Sequence, residues 1–430
     1  MFESSPIVAE KARLFAVKTV RKLRKTGFIA YFAGGCVRDR EIRPPQDPHD
    51  YDIATNALPD QIQEVFTKRK TLAIGASFGV ITLIGTKATG NIDIATFRED
   101  AAYSDGRHPD GVSFCNAEQD ALRRDFTING MFYDPIDEQV IDFVNGRADI
   151  VAKVIRAIGI PAERFHEDKL RILRAIRFAT TLQFTIHTET LAAVKQFSEN
   201  LQQVSRERIL IELKKILESN HYQRGLELML DTGVLAYAVP GLALPESSQA
   251  ANWQSLLAIT AAMPANDFRS TLALLFKTLA ADAILIDVRS SLKQMKMSND
   301  DIVTVCWMVE HVEQFISADS VPWPQIQRLL IDPNAKKTLT IATAWSSHHQ
   351  QSTVGIEFCQ QKLKLPLEQL NPAPLLDGKD LQEMGLQPGP LFSKVLTAVR
   401  DAQLMGETTT KPAAAILAQT VFQQLSDSLE

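Results

Sequence analysis

Two aspartates two residues apart, Asp50 and Asp52, follow a stretch that turns through Gly34-Gly35 into Val37-Arg38-Asp39. An apolar run, Phe28 to Ala33, leads into the glycines. Without a Cβ in the way, the backbone N–H groups of such a turn approach a phosphate closely. Arg38 adds a guanidinium able to bridge phosphate oxygens. In a strand, residues i and i+2 point to the same side, so Asp50 and Asp52 are expected to present their carboxylates together. Paired acids beside a phosphate cradle suit a Mg²⁺-dependent phosphoryl or nucleotidyl transfer. Asp93, in the strand-like NIDIATFR, is the candidate third acid if a neighbouring strand sets it against the pair. A lone DxD is weak, because Asp also caps helices and turns. Asp47 competes with Asp50 as a ligand, although Pro48 between them favours a loop there.

Two further clusters carry charge. Arg123-Arg124-Asp125-Phe126-Thr127-Ile128-Asn129 supplies two arginines, an acid and an amide, a set suited to a triphosphate and a ribose hydroxyl. The plainer alternative is a charged helix start with Asp125 pairing an arginine. Glu167-Asp168-Lys169-Leu170-Arg171, placed on one helix, sets Glu167 and Arg171 at i,i+4 and Asp168 and Arg171 at i,i+3. That is either a surface ion pair or a base reader. Adenine and cytosine each show an amino donor beside a ring-nitrogen acceptor. An Asp accepting from the amine and an Arg donating to the ring nitrogen match both. Guanine and uracil present the reverse order and leave buried polar groups unpaired.

The elements that must position these groups follow from periodicity. Residues 6 to 26 read as a helix stopped by Gly27. Strand-like runs follow at Phe28–Ala33, Asp50–Thr55, Gly79–Gly85 and Ile92–Phe97, with a helix at Pro59–Arg69. That is a small α/β domain ending near residue 155. After Arg164 the pattern is helical, with Glu167–Thr181 unbroken by Gly or Pro. Pro240-Gly241 interrupts it, and helical stretches resume near residue 251. The expected fold class is α+β: a mixed-sheet head, 1–155, then an elongated helical part, divided into 156–242 and 243–430.

A chain of 430 residues implies two to four domains. Its formal net charge of −5 excludes a uniformly basic nucleic-acid binder but not a local basic groove. Between Glu10 and Lys25 seven basic residues face one acid, either as the solvated face of a helix or as an RNA contact. The four cysteines lie far apart, which suggests neither a zinc site nor a disulfide framework. His348-His349 reads as an exposed pair on a polar loop, with no neighbouring Asp to suggest a phosphohydrolase site. The N-terminus lacks a secretory pattern and no apolar run reaches ~18 residues, so a cytoplasmic protein with no membrane segment is expected.

Taken in order, GGCVRD at 34–39, DYD at 50–52, IDIATFR at 92–98, YSDGRHPDGVSF at 103–114, RRDFTIN at 123–129 and HEDKLRILRAIRFA at 166–179 resemble the bacterial class II tRNA nucleotidyltransferase/poly(A) polymerase family. The resemblance implies a polymerase-β-like head followed by a helical neck, body and tail that hold tRNA. It implies CCA addition from CTP and ATP with two Mg²⁺ ions. On matching positions, Asp50 and Asp52 stand as metal ligands, with Asp93 beside them as the third catalytic acid. Gly34, Gly35 and Arg38 match the phosphate turn, and Arg123, Arg124, Asp125 and Asn129 the ribose–triphosphate segment. Glu167, Asp168, Arg171 and Arg174 match the nucleotide-selecting motif. Asp105, Gly106 and Arg107 match a flexible loop used in switching from C to A addition.

Two departures stand out. The segment PPQDPHDYD is longer than the family's usual spacing, and Asp93 replaces a frequent Glu, shortening its reach by one methylene. The stretch LQEMGLQPGP at 381–390 is similar to the family's C-terminal signature, as a phosphate-facing turn or a plain helix-to-helix turn. An A-adding or CC-adding partial enzyme, a poly(A) polymerase and an RNA-binding protein with a dead site remain alternatives. The loop at 100–109 disfavours the CC-adding enzyme, and the near-neutral C-terminus disfavours the poly(A) polymerase.

Overall fold

The computed structural model describes residues 6–44, 48, 50–100, 112–242, 249–263, 267–279 and 287–427. The chain forms two compact units, Met1–Ala243 with Ser291–Lys296, and Leu244–Ser290 with Met297–Glu430.

The first unit opens with helix α1 (Pro6–Lys25). It buries Ala12, Ala16, Val20 and Leu23 at helical spacing, and Gly27, at φ 90°, follows where the chain leaves the helix. Strand β1 (Ala30–Ala33) runs into helix α2 (Gly35–Glu41). Then come β2 (Asp52–Thr55), α3 (Pro59–Phe66), β3 (Thr71–Leu72), β4 (Val80–Leu83) and β5 (Ile92–Thr96). Strands β6 (Arg98–Asp100) and β7 (Val112–Phe114) pair with each other, and helix α4 (Ala117–Leu122) follows. β8 (Phe132–Asp134) and β9 (Gln139–Ile141) complete a seven-stranded sheet of order β3-β4-β5-β2-β1-β8-β9.

Only the β2–β5 pairing in this sheet is parallel, and its register sets Asp52 against Asp93. Alternation does the rest. Ile53, Ile94 and Ile81 are buried on one face, where α1 and α3 pack. Asp52, Asp93 and Ala54 take the other, alongside the cluster of Ala33, Phe97, Ala121 and Phe132.

The unit continues with α5 (Gly146–Ala152), β10 (Val154–Ile155), α6 (Pro161–Glu167), α7 (Arg171–Leu182), β11 (Thr185–Ile186), α8 (Thr188–Gln196), α9 (Arg206–Leu217), α10 (Tyr222–Asp231) and α11 (Val234–Ala238). Gly225 lets α10 close on its neighbours, since a Cβ there would sit 2.4 Å from Ile216 Cγ2 and 2.9 Å from Thr180 Oγ1. The second unit is helical among its described residues. Helices Phe268–Leu279, Asn299–Ile316 and Ala335–His349 pack together over Leu274, Phe276, Met308, Phe315 and Ala342. Helices Gly378–Glu383, Pro390–Met405 and Lys411–Asp427 enclose a separate small core of Leu381, Val395, Val399, Ala414 and Ala418. Residues 384–389 of the C-terminal signature form the turn between the first two of these helices.

Four expectations need correction. β2 begins at Asp52, where pairing with β1 starts, so Asp50 lies in a bend before the strand. The run Glu167–Thr181 is not one helix. It breaks at Asp168, whose φ −134° and ψ 104° are extended, and restarts at Arg171. The helical part carries β11, a two-residue strand. His348 and His349 end a helix rather than occupying a loop, though both are exposed. Among the described residues no helix is long and apolar enough to cross a membrane.

Candidate active site

A cleft of about 700 Å³ opens over the carboxylate face of the sheet. Among the described residues eight basic and four acidic side chains line it, a concentration of positive charge in a chain whose net charge is −5. A concave wall of one sign focuses the field on an anionic ligand.

Asp52 and Asp93 are brought to the floor by the parallel register of β2 and β5. Thr82 Oγ1, on the adjoining strand, donates to Asp93 Oδ1 at 2.6 Å. Asp52 is open to the cleft, yet protein surrounds it on most sides. That desolvation, with the like charges of Asp93 and Asp50 outweighing Arg124, pushes its carboxyl up to about 6. Asp52 and Asp93, set side by side by the register of β2 and β5, are the carboxylates that would hold a divalent cation here. Among the described residues no three His, Cys, Asp or Glu side chains form a ready-made metal cage.

Gly34 ends β1 and precedes α2 at φ 71° and ψ −132°, a conformation that strains any residue with a Cβ. A Cβ on it would lie 3.7 Å from Arg124 Nη1 and 3.9 Å from Asp52 Oδ2, so the turn sits between these two groups. Arg123 and Arg124 are held by Asp120, at 2.7 and 2.9 Å. Asp120 is buried; burial pushes its carboxyl up, but the two guanidiniums outweigh that and hold it below the usual range.

A hydrogen-bonded row crosses the cleft. Arg38 Nη1 donates to Asn129 Oδ1 at 2.9 Å, Asn129 Nδ2 donates to Asp125 Oδ1 at 3.2 Å, and Arg174 Nε donates to Asp125 Oδ2 at 2.9 Å. Burial pushes the Asp125 carboxyl up, but the charge and hydrogen bonds of Arg174 bring it down to about 2. Arg177 pairs with Glu212 of α9. The Phe178 ring lies under three guanidiniums, with Arg38, Arg174 and Arg177 at 5.2, 5.4 and 3.8 Å from its centroid.

The break between α6 and α7 positions the remaining motif. Asp168 Oδ1 accepts from Leu170 N at 3.1 Å, and Oδ2 accepts from Arg208 Nη2 at 2.8 Å. Arg171 is almost fully buried. It donates to Glu167 Oε2 at 2.7 Å and to the Arg123 carbonyl at 3.1 Å. Arg164 also meets Glu167, at 3.0 Å.

Of the residues singled out from the sequence, Gly34, Gly35, Arg38, Asp52, Asp93, Arg123, Arg124, Asp125, Asn129, Asp168, Arg171 and Arg174 line this one cleft. Asp50 and Glu167 do not line it, Asp50 acting on Asp52 by charge and Glu167 holding Arg171. Asp105, Gly106, Arg107 and Asp47 lie outside the described residues. The sequence reading missed Asp120, Arg177, Arg208 and Glu212. Asp120 was legible at i,i+3 and i,i+4 from the two arginines. Arg208, 40 residues from Asp168, left no local signal.

Comparison with known proteins decides the family. The CCA-adding enzyme of Levilactobacillus brevis is 33% identical over 402 residues, covering 93% of this chain and 96% of that protein. This chain belongs to the CCA-adding enzyme family. The CCA-adding enzyme of Limosilactobacillus reuteri is 34% identical, with 94% of each chain covered. Family models match the "Poly A polymerase head domain" at residues 30–156, the "Probable RNA and SrmB- binding site of polymerase A" at 183–244 and the tRNA nucleotidyltransferase domain 2 at 269–419. The crystal structure of the Bacillus stearothermophilus CCA-adding enzyme in complex with CTP aligns with a TM-score of 0.73 and 26% identity, covering 97% of this chain and 99% of that one. The Thermotoga maritima CCA-adding enzyme complexed with tRNA shares the fold, with a TM-score of 0.65, 21% identity and coverage of 97% and 95%.

Proposed function

We propose that this protein adds CCA to the 3′ end of tRNA without a template, drawing on CTP and ATP in the cytoplasm. The 3′-hydroxyl attacks the α-phosphorus, the bond to the bridging oxygen breaks, and pyrophosphate leaves. The observation that carries this reading is the joint lining of one cleft: the Asp52–Asp93 pair, the arginine row and the Asp168–Arg171 pair. Kinship with enzymes of this name supports it.

The division of labour follows the geometry. Asp52 and Asp93 hold the reacting end, with Asp50 contributing from the bend. Two Mg²⁺ ions, when bound there, supply Lewis-acid activation of the hydroxyl and neutralise the triphosphate. Gly34, Gly35, Arg38 and Arg124 cradle phosphate, while Asp125 and Asn129 fix the arginine row and face the ribose. Asp168 accepts from the base amine and Arg171, clamped by Glu167, donates to the ring nitrogen. The segment 100–109, with Asp105, Gly106 and Arg107, supplies the element that adapts the pocket from cytosine to the larger adenine. Residues 156–242 serve as a neck, and 243–430 as a body and tail that hold tRNA.

One assay tests the product. A tRNA ending at the discriminator base and one ending in CC are incubated with labelled CTP and ATP. Extension of both to CCA is expected. Addition of A to the second, with no CTP entering the first, would identify an A-adding enzyme and leave the chemistry standing. No incorporation into either would refute catalysis.

A further inference from the structure

A second basic concavity of about 500 Å³ lies on the face of the sheet opposite the carboxylates. Its walls are α1, through Lys18 and Lys22, and the 3-10 turn Lys68–Lys70 after α3, through Arg69 and Lys70. Thr86 and Thr89, from the turn between β4 and β5, add hydroxyls, and among the described residues no acid lines it.

Three observations separate it from an ordinary solvated helix face. First, Lys18, Lys22, Arg69 and Lys70 are exposed, and among the described residues none has a carboxylate partner. On the same helix, Arg13 is paired with Glu10 and Arg24 with Asp134 and Asp137. The opposite face of the sheet likewise pairs its arginines with acids. Second, Lys18 and Lys22 share a narrow arc of α1, at 100° per residue, with Lys11 and Lys25, which lie outside the groove and extend its basic edge to roughly 21 Å. Such a length matches several successive phosphates of a strand. Third, the groove is shaped rather than flat: Phe15, Phe66 and Leu83 floor it, and Lys22 is braced over the Phe66 ring at 4.8 Å.

We propose that this groove binds the phosphodiester backbone of a second RNA strand while the cleft holds the 3′ end being extended. Charge complementarity selects a polyanion, and the row of basic side chains without carboxylate partners among the described residues selects a phosphate backbone over isolated anions. The sheet and its helices lie between groove and cleft, so a 3′ end seated at Asp52 cannot also lie along Lys18 and Lys22. The groove is built by α1 and the strands up to β5, outside the 183–244 segment that matches an RNA-binding model. This goes beyond the reading of the cleft and adds a site to it.

The test uses the full chain, saturated with a CC-ending minihelix, and a fluorescent single-stranded oligoribonucleotide followed by anisotropy. Wild-type protein is expected to bind the oligonucleotide, and K18A/K22A/R69A/K70A to bind it far more weakly. Four lost phosphate contacts lower the salt slope by about 2.8, so the wild-type advantage shrinks about fiftyfold between 50 and 200 mM salt. The charge-conserving K18R/K22R keeps binding, which separates lost charge from misfolding. Minihelix extension by the quadruple variant stays near wild type. No binding to the saturated wild type, or equal binding and slope in the quadruple variant, overturns the proposal. Equal displacement by polyglutamate overturns it in favour of an acidic protein partner. Loss of minihelix extension with oligonucleotide binding intact assigns the groove to the extended RNA and also overturns it. Anisotropy reads the groove without nucleotide incorporation, so failure here is distinct from failure of the cleft assignment.

Discussion

Replacing Asp168 by Ala tests the base-reading assignment directly. Its carboxylate is fixed before any base arrives, Oδ1 by Leu170 N and Oδ2 by Arg208, at 3.1 and 2.8 Å. A preorganised acceptor loses little entropy on binding, so its hydrogen bond to the base amine is expected to count in full. A bond to a charged group is worth roughly 1.5–3 kcal/mol, and about 1.4 kcal/mol makes a factor of ten. kcat/KM for ATP and CTP should therefore fall by about ten- to a hundredfold, with GTP and UTP changing little, so discrimination collapses by the same factor. Arg208→Ala releases the carboxylate without removing it, so a smaller loss is expected. Because Arg208 acts through Asp168, the double variant should be no worse than Asp168→Ala alone. The assay is single-nucleotide incorporation into a CC-ending minihelix, with each of the four nucleotides in turn. An unchanged nucleotide profile would return Asp168 and Arg208 to a structural ion pair and refute the reasoning.

Three other outcomes are expected. Asp52→Asn should abolish incorporation while tRNA binding by filter retention survives, and near-native turnover in Asp50→Asn would move that ligand role to Asp47. Asp125→Asn should destabilise the protein in a pH-dependent way. The carboxyl titrates at about 2 when folded, below its usual value, so its roughly 2 kcal/mol of stability is complete above about pH 4 and lost as pH falls through 2. Thermal melts of wild type and variant should converge on acidification, and a gap that persists to pH 2 would contradict the assignment. Gly225→Ala forces a methyl to within 2.4 Å of Ile216 and should cost about 1–3 kcal/mol, read as a lower melting temperature with catalytic residues untouched.

Local spacing made the head legible. The apolar run into Gly34-Gly35 placed a strand and a turn because only glycine tolerates φ 71° followed by ψ −132° at no cost. The 3.6-residue recurrence of Ala12, Ala16, Val20 and Leu23 placed α1, because those residues form one stripe that the helix buries. Motif order was enough to indicate the family. The break at Asp168 was not visible, since Asp168-Lys169-Leu170 contains neither Gly nor Pro. The chain leaves the helix there with Asp168 Oδ1 accepting from Leu170 N and Oδ2 from Arg208. Asp50 misled for a similar reason, because two-residue spacing predicts a shared face only where a partner strand exists, and pairing begins at Asp52.

Residue types and their order thus determined which chemistry this chain is equipped for. Tertiary structure alone decided which groups meet. Register between β2 and β5 sets Asp52 against Asp93 across 41 positions, and α9 returns Arg208 to Asp168 and Glu212 to Arg177. Those pairings come from chain closure and the burial of apolar faces distant in sequence, and no local pattern encodes them. The same closure separates the paired arginines of the cleft from the unpaired lysines on the far side of the sheet, although both read alike as basic residues in the linear chain.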